Sequence, residues 1–292
     1  MPSSSLAATG RPTLIRTERL AGLVSGFPSM VGDAGPPIYQ ALTAEYAAGQ
    51  QRDNIDKTRN YLAPILARIG ARTVLDAGCG VGTMVATLEG MGHHAYGFDL
   101  LENVPHWAGQ DLPVDRFVVT DPRELRLPFD DGAFDAAFSF GVLEHVGTTD
   151  GNATRRADYH EIRRQWVGEL FRVIRIGGHL LLGGPNKGFP VDTAHGLDAA
   201  ASGLEHRLSR LARVSVHRSW GENFLWGYGD VRRYLRGAPC TIEGLSVEGL
   251  ANFSRVPFPF GGLARFYVRH LPRPLLATGF NPWVMALVRR DA

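Results

Sequence analysis

The sequence contains few cysteines and no obvious metal-binding pattern. Only 2 of its 292 residues are Cys. Cys79 and Cys240 lie far apart and belong to no CxxC pair and to no His/Cys group with zinc spacing. No set of His, Asp and Asn residues has the spacing of metal ligands either, so no metal is expected. Cysteine use of this kind fits a reducing, cytoplasmic compartment.

Long apolar runs and clusters of one charge are also missing. The first residues, MPSSSLAA, have neither a charged start nor an apolar core, so no secretory signal is predicted. No apolar run is long enough to span a bilayer. The net charge is only +2, and Lys occurs only as Lys57 and Lys187. Without a dense basic segment, a nucleic-acid partner is not expected.

The hydrophobic pattern predicts an α/β fold. Residues 1–36 are rich in Ser, Gly, Pro and Ala and predict a loosely structured arm, with a short helix near Leu20–Val24. From residue 37 to Gly70 the apolar spacing is helical, and strands then alternate with helices. This order favours a doubly wound, mainly parallel sheet. The predicted strands are Thr73–Asp76, His94–Asp99, Arg116–Asp121, Phe134–Ser139, His179–Gly183, Thr241–Val247 and Trp283–Arg289.

The predicted helices are Met84–Met91, Tyr159–Ile174 and Asp230–Leu235. We expect residues 37–292 to form a single domain with two insertions. Residues 188–237 read as a mostly helical cap, and residues 253–282 are rich in Phe, Pro and Leu.

A Gly-rich turn follows the first predicted strand, in the stretch Asp76–Thr83 with the sequence DAGCGVGT. A dinucleotide fingerprint would need its third Gly at position 83, where Thr83 stands. Asp76 would repel a pyrophosphate but attract a cofactor that carries ammonium and sulfonium charges. The turn therefore disfavours a nicotinamide-dependent oxidoreductase and favours a cationic cofactor.

This turn resembles the first motif of class I S-adenosylmethionine-dependent methyltransferases, of the type 11 or ubiquinone/menaquinone-like set. Later motifs of that family are matched in order over about residues 55–190. The matching stretches are Leu75–Gly82, Asp99, Asp121, Leu127–Asp135, Val142–Val146 and Arg172–Gly178.

The resemblance implies a seven-stranded sheet with its last strand antiparallel, an N-terminal helical arm and a helical cap. It implies S-adenosylmethionine as cofactor, with Asp99 on the ribose hydroxyls and Asp121 at the adenine amino group. Cys79 is expected to be a small packing residue. Phe140 is either a contact of the methionine moiety or plain core. The residues that the resemblance assigns to the cofactor are Asp76, Gly78, Cys79, Gly80, Asp99, Leu100, Asp121, Pro122 and Phe140.

Two histidines are candidate catalytic bases, because imidazole titrates near neutral pH. His145 follows the fourth strand, where a structural role at a helix start is the alternative. His195 lies in the loop Pro185–Gly196, which resembles a pattern of some small-molecule and saccharide methyltransferases. Asp192 could orient the imidazole of His195 on the substrate side. Alternatively, the two residues could pair only to hold the loop together. His160, by contrast, is expected to be exposed.

The substrate pocket is expected from the two insertions. Trp220, Phe224, Trp226 and Tyr228 form an aromatic group that lines a pocket or builds a small core. Trp220 and Trp226 are the candidate substrate-side residues among them. The aromatic and Arg-rich residues of 253–282 could cover a lipophilic substrate or contact a membrane surface, but burial is favoured.

The sequence therefore predicts an S-adenosylmethionine-dependent methyltransferase acting on O or N of a small organic metabolite, in the setting of secondary metabolism. A saccharide or a lipid-linked or isoprenoid acceptor is the alternative. A non-catalytic binding module with the same fold is the alternative from a different class.

Overall fold

The computed structural model describes residues 51–100, 103, 107, 116–120, 126–149, 154–250, 256 and 260–292. The predicted arm 1–36, Asp121, Pro122 and most of residues 251–259 lie outside the described residues.

The described chain alternates strands and helices as the sequence predicts. Residues 51–57 are helical and continue into a π-helical turn at Thr58–Leu62. A short 3₁₀ turn occupies Arg273–Leu275. The α-helices are α1 Ala63–Ile69, α2 Thr83–Gly90, α3 Tyr159–Arg172, α4 Gly203–Ala212, α5 Tyr228–Tyr234 and α6 Phe260–Arg269. The strands are β1 Thr73–Ala77, β2 His94–Asp99, β3 Phe117–Val119, β4 Phe134–Phe140, β5 Ile174–Pro185, β6 Val191–Asp192, β7 Ser215–Val216, β8 Cys240–Gly244 and β9 Trp283–Arg290.

Seven strands form one sheet in the order β3-β2-β1-β4-β5-β9-β8, which confirms the predicted fold class. β1 is parallel to both of its neighbours, β2 and β4, and β2 is parallel to β3. The strand order therefore reverses between β1 and β4. In open α/β sheets, ligands bind outside the carboxyl ends of the strands at such a switch point.

Contacts within the chain divide it into two compact units. The first contains the described residues up to Phe138, together with Glu169–Leu180 and Arg290–Ala292. The second contains Ser139–Gly168 and Leu181–Arg289.

In the first unit, the end of α3 is joined to the stretch that precedes β4. The Arg172 guanidinium donates to the carbonyl oxygens of Leu127 and Phe129 and pairs with Glu169 and Asp131. Glu169 in turn accepts the Leu127 N–H at 2.9 Å. These bonds join two of the matched motifs that are distant in sequence.

In the second unit, α4 begins with a capping box. The Ser202 hydroxyl accepts the Glu205 N–H at 3.3 Å, and the Glu205 carboxylate accepts the Ser202 N–H at 2.8 Å. This exchange satisfies two backbone donors that a helix start leaves without partners. β6 precedes this helix and β7 follows it. The two strands pair antiparallel and form a separate two-stranded sheet.

Three sequence predictions differ from the structure. Residues 188–237 contain α4 and α5, but β6, β7 and long loops as well, so the segment is less helical than predicted. β5 is longer than predicted, because Gly177 at φ 76 is accommodated inside the strand instead of ending it. The third strand is shorter and covers only Phe117–Val119. Within the described residues, no helix combines the length and the apolar character that crossing a membrane requires.

Candidate functional site

The turn after β1 requires glycine at three alternate positions. Gly78, Gly80 and Gly82 have φ of 83°, 51° and 80°, a region that other residues rarely adopt. The N–H groups of Gly78 and Cys79 both donate to the Phe98 carbonyl at 3.0 Å. The end of β2 therefore holds the start of the turn, and the three glycines leave their own backbone positions open to close approach.

Asp99 fixes the middle of the same turn. Its carboxylate accepts the Gly80 N–H at 2.5 Å through Oδ2 and the Leu100 N–H at 2.7 Å through Oδ1. The predicted ribose acid and the predicted glycine turn are thus brought together by the parallel pairing of β1 and β2.

Asp76 is buried at the end of β1, with 4% exposure. Its Oδ2 has no hydrogen-bond partner among the described residues. Burial, and then the neighbouring Asp99 charge, raise the pKa of Asp76 well above its ordinary value. A buried carboxyl of this kind gains most from a cationic ligand, and S-adenosylmethionine carries both an ammonium and a sulfonium charge. The acids and the bare turn therefore fit this cofactor.

Cys79 packs inside the turn, as predicted. A Cβ added to Gly97 would lie 2.8 Å from both the Cβ and the Sγ of Cys79, so β2 must have glycine there. Burial, then the charges of Asp99 and Asp76, raise the pKa of the Cys79 thiol. Cys79 is thus a neutral packing group rather than a nucleophile.

Trp107 is a further residue that contacts the glycine turn. Its indole Nε1 donates to the Gly80 carbonyl at 2.8 Å, and its ring stacks on Phe117 with centroids 5.0 Å apart. A Cβ on Gly82 would lie 2.8 Å from the Phe117 ring, so this third glycine serves packing. No motif marks Trp107, because its contact depends on packing across distant segments.

Four polar residues of the second unit form what we call the histidine cluster: Glu144, His145, Asp192 and His195. His195 Nδ1 lies 2.8 Å from Asp192 Oδ2, which confirms that the two residues pair. His195 Nε2 lies 3.5 Å from Glu144 Oε1. The His145 and His195 rings have centroids 5.4 Å apart. Both candidate histidines therefore lie in one place.

Glu144 is the member that the sequence analysis did not select. It is completely buried, and its Oε2 accepts the Trp226 Nε1–H at 3.1 Å. Its Oε1 has no hydrogen-bond partner among the described residues. The only sequence signal was its place before His145 in the matched LEHV stretch.

Arg163 of α3 holds the backbone around the histidine cluster. This buried guanidinium donates to the carbonyl oxygens of Glu144, Val146 and Phe224 at 2.7–2.9 Å. Residues 143–147 form a turn. The helix start that was the structural alternative for His145 is therefore not observed.

The predicted aromatic group is only partly assembled. Phe224, Trp226 and Tyr228 are buried, whereas Trp220 is 73% exposed. The grouping of Trp220 with the others is therefore wrong, since a loop position lets its ring face solvent. A role for Trp220 on the substrate side stays a prediction.

Other predicted residues have mixed outcomes. Phe140 is half-buried, and a Cβ on Gly183 would lie 2.6 Å from its ring, so it packs against β5. His160 is less exposed than predicted, because Nδ1 lies 2.9 Å from the Tyr234 hydroxyl and Nε2 lies 3.0 Å from Glu222. Burial outweighs the opposing effect of the Glu222 carboxylate and lowers the pKa of His160. Asp121 and Pro122 are not among the described residues.

An open depression of about 440 Å³ borders the histidine cluster. Asp192 and His195 form part of its wall, and Arg210 and Arg213 lie on the same wall. The cluster can therefore be reached from this side by a small polar molecule.

Comparison with known proteins agrees with the motif assignments. Residues 75–182 match the family model described as a methyltransferase domain. A probable S-adenosylmethionine-dependent methyltransferase of Mycolicibacterium smegmatis is 30% identical over 121 residues, which cover 41% of this chain and 40% of that protein. An uncharacterized 37.1 kDa protein in a Streptomyces fradiae transposon is 28% identical over 167 residues, or 54% of this chain and 44% of that protein. The chain thus matches less than half the length of these two relatives.

Among solved structures, a chain of the complex between the Haloferax volcanii Trm112 methyltransferase activator and a methyltransferase is 17% identical, with a TM-score of 0.48. The match covers 86% of this chain and 97% of that chain. The family-model match and the sheet order together support the fold class and S-adenosylmethionine as the cofactor. Over residues 75–182, this chain is similar to the methyltransferase domains of the class I, S-adenosylmethionine-dependent type.

Proposed function

We propose that this chain transfers the methyl group of S-adenosylmethionine to an oxygen or nitrogen atom of a small organic molecule. The observation that supports the proposal is the glycine turn after β1, with Asp76 buried beneath it and Asp99 bonded to Gly80. In the reaction, an electron pair of the acceptor atom forms the new bond to the methyl carbon. The carbon–sulfur bond breaks with its pair left on sulfur, giving S-adenosylhomocysteine, and the acceptor releases a proton to solvent.

The role of the protein in such a displacement is mainly alignment of the two reactants. β1 and β4 are adjacent and parallel, with Asp76 opposite Phe138. Their carboxyl ends therefore lie at the same edge of the sheet, where ligands bind in this class of fold. The glycine turn follows β1. The histidine cluster of the second unit is the candidate acceptor site, because it combines two imidazoles with a buried carboxylate and borders an open depression.

We assign His145 and His195 to the acceptor side of the reaction. Asp192 is a positioning residue, because its bond to Nδ1 fixes the ring of His195. Trp226 positions Glu144 in the same way. Phe140, Leu100, Asp121, Pro122 and Trp220 keep the roles that the sequence predicts for them.

Calorimetry with S-adenosylmethionine and S-adenosylhomocysteine is the first test. We expect both to bind and NADH not to bind. A panel of hydroxyl-bearing and amine-bearing metabolites, including saccharides and isoprenoids, then tests turnover by a mass gain of one methyl group in exchange for hydrogen. If neither sulfur compound binds, the proposed function is wrong.

The acceptor assignment has its own test in His145→Ala and His195→Ala. Both variants should lose turnover while the affinity for S-adenosylmethionine stays near that of the wild type. His160→Ala is the matched control, because His160 also contacts a carboxylate, that of Glu222. Equal turnover in all three variants would contradict the assignment.

A further inference from the structure

We infer that Glu144, His145 and His195 form a binding site for one divalent transition-metal cation. The inference rests on the proposed function, since the cation would serve the acceptor side of the same reaction. Two imidazoles and one carboxylate, each offering one ligand atom, lie with these atoms within 4.8 Å of one another. Glu144 and His145 are sequence neighbours, whereas His195 is supplied by the loop after β5.

The distances suit a single ion. Bonds from nitrogen or oxygen to such metals are about 2.0–2.2 Å long, so two ligand atoms of one ion are at most about 4.4 Å apart. Glu144 Oε1 and His195 Nε2 are 3.5 Å apart, well inside this limit and too far for a direct hydrogen bond of normal length. Ligand atoms that are up to 4.8 Å apart would need a small side-chain rotation to bind the same ion.

In two of the three proposed ligands, His195 and Glu144, one polar side-chain atom already forms a hydrogen bond. His195 Nδ1 is held by Asp192, which leaves Nε2 as the ligand atom. Glu144 Oε2 is held by Trp226, which leaves Oε1 as the ligand atom. A carboxylate behind a histidine is the usual outer contact of metal-binding imidazole. The two bonds therefore direct the ligand atoms toward each other.

Charge gives an independent reason. The Glu144 side chain is 0% exposed and that of Asp192 is 2% exposed. Burial of unbalanced carboxylates costs several kcal/mol. Neither carboxylate pairs with Lys or Arg within the part of the chain that is described. Arg163 donates to the Glu144 backbone carbonyl at 2.9 Å, not to its carboxylate. A divalent cation held by the three ligands would balance the charges of the two carboxylates.

The ligand set indicates the class of metal. Two imidazole nitrogens favour Zn²⁺, Fe²⁺ or another first-row transition metal over Mg²⁺ and Ca²⁺, which prefer oxygen ligands. Three protein ligands leave at least one coordination position open, as in catalytic metal sites. A cation there would lower the pKa of an acceptor hydroxyl. Of the two acceptor atoms proposed above, oxygen and nitrogen, the metal site therefore favours oxygen. The sequence patterns had given no reason to expect a metal, because the ligands become neighbours only in the fold.

The test uses the tag-free full chain, stripped with a chelator and titrated with Co²⁺ and with Zn²⁺. We expect one equivalent of Co²⁺ to bind, with visible absorption bands of a low-coordinate cobalt site. Glu144→Gln and His195→Ala should each abolish the bands, and Asp192→Asn should weaken binding by about 10–100-fold. His160→Ala should bind as the wild type does.

Glu144→Gln is nearly isosteric and can still accept the Trp226 N–H, so it should fold, and circular dichroism and thermal unfolding check this. Substoichiometric binding by the wild type, or equal binding by folded Glu144→Gln and His160→Ala, overturns the metal site. Titration of the same samples with S-adenosylmethionine separates the two proposals. In the wild type, absent cobalt binding with intact cofactor binding overturns only the metal site, whereas absent cofactor binding overturns the proposed function.

Discussion

Asp99, at the end of β2, accepts the Gly80 N–H at 2.5 Å, and so the second strand fixes the backbone of the turn after the first. A single carboxylate thereby shapes the turn and presents negative charge beside it. The same carboxylate also raises the pKa of Asp76, after the larger effect of burial. The negative charge beside the turn and the local fold are thus coupled at this residue.

Asp99→Ala should lower the affinity for S-adenosylmethionine by at least about tenfold, roughly 1.4 kcal/mol. The variant loses both the acid assigned to the ribose and the bond that holds Gly80. Calorimetry measures the affinity. Asp158→Ala is the matched control, since Asp158 is an exposed acid that pairs with Arg156. Near-normal affinity in the Asp99 variant would mean that the ribose site is misplaced.

Two glycine substitutions should have opposite effects on stability. Gly97→Ala places a Cβ 2.8 Å from Cys79 and should lower the free energy of unfolding by about 1–3 kcal/mol. Gly168→Ala lies within α3, with no atom within 4 Å of the added Cβ. Because alanine favours helix over glycine, it should raise the free energy of unfolding by up to about 1 kcal/mol. Urea unfolding measures both, and an unchanged or higher free energy of unfolding in Gly97→Ala would show that Gly97 is not confined.

Asp135 should stabilise the fold in a pH-dependent way. Burial alone would raise its pKa, but the Thr73 N–H, the Arg175 guanidinium and the Arg72 N–H outweigh burial and lower it. A carboxyl group whose pKa is lowered by folding stabilises the protein above its pKa in the unfolded state, about 3.9. This stabilisation is lost as the pH falls through its pKa in the folded state.

Asp135→Asn should therefore lower the free energy of unfolding by about 1–3 kcal/mol at neutral pH. The difference in free energy of unfolding between this variant and the wild type should shrink once the pH is about one unit or more below 4. Unfolding curves across this range test it. A difference that stays constant, or grows, toward acid pH would show that the carboxylate charge is not the cause.

Cys79 should resist alkylation in the folded protein. Burial and the nearby charges of Asp99 and Asp76 keep its thiol protonated. In a Cys240→Ser background, iodoacetamide at mildly alkaline pH should modify Cys79 slowly in buffer and quickly in denaturant, as followed by mass. Rapid modification in buffer would place the thiol at the surface.

Much of the fold was predictable because its signals are contiguous in sequence. β2 and the starts of β1, β4 and β9 agree with the apolar patterns that predicted them. The start of β5 differs from the prediction because of a glycine. Gly177 takes a positive φ inside β5, and the sequence cannot distinguish such a kink from a turn.

The proximity of the residues predicted to bind the cofactor has a similar explanation. Asp76, Gly78 and Gly80 belong to one short motif, and Asp99 follows from the order of the strands. Trp107 was missed because its bond to Gly80 joins residues 27 apart in a segment without a motif.

The sequence by itself determined the α/β order, the glycine turn and the acids beside it, because backbone preferences and apolar periods act over a few neighbouring residues. It also proposed the pairing of Asp192 with His195, three residues apart on one loop. Only the tertiary structure decided that Glu144 meets His195, that Trp226, 82 residues from Glu144, bonds its carboxylate, and that Trp220 faces solvent. Such contacts depend on how distant segments pack, and no local pattern specifies that packing.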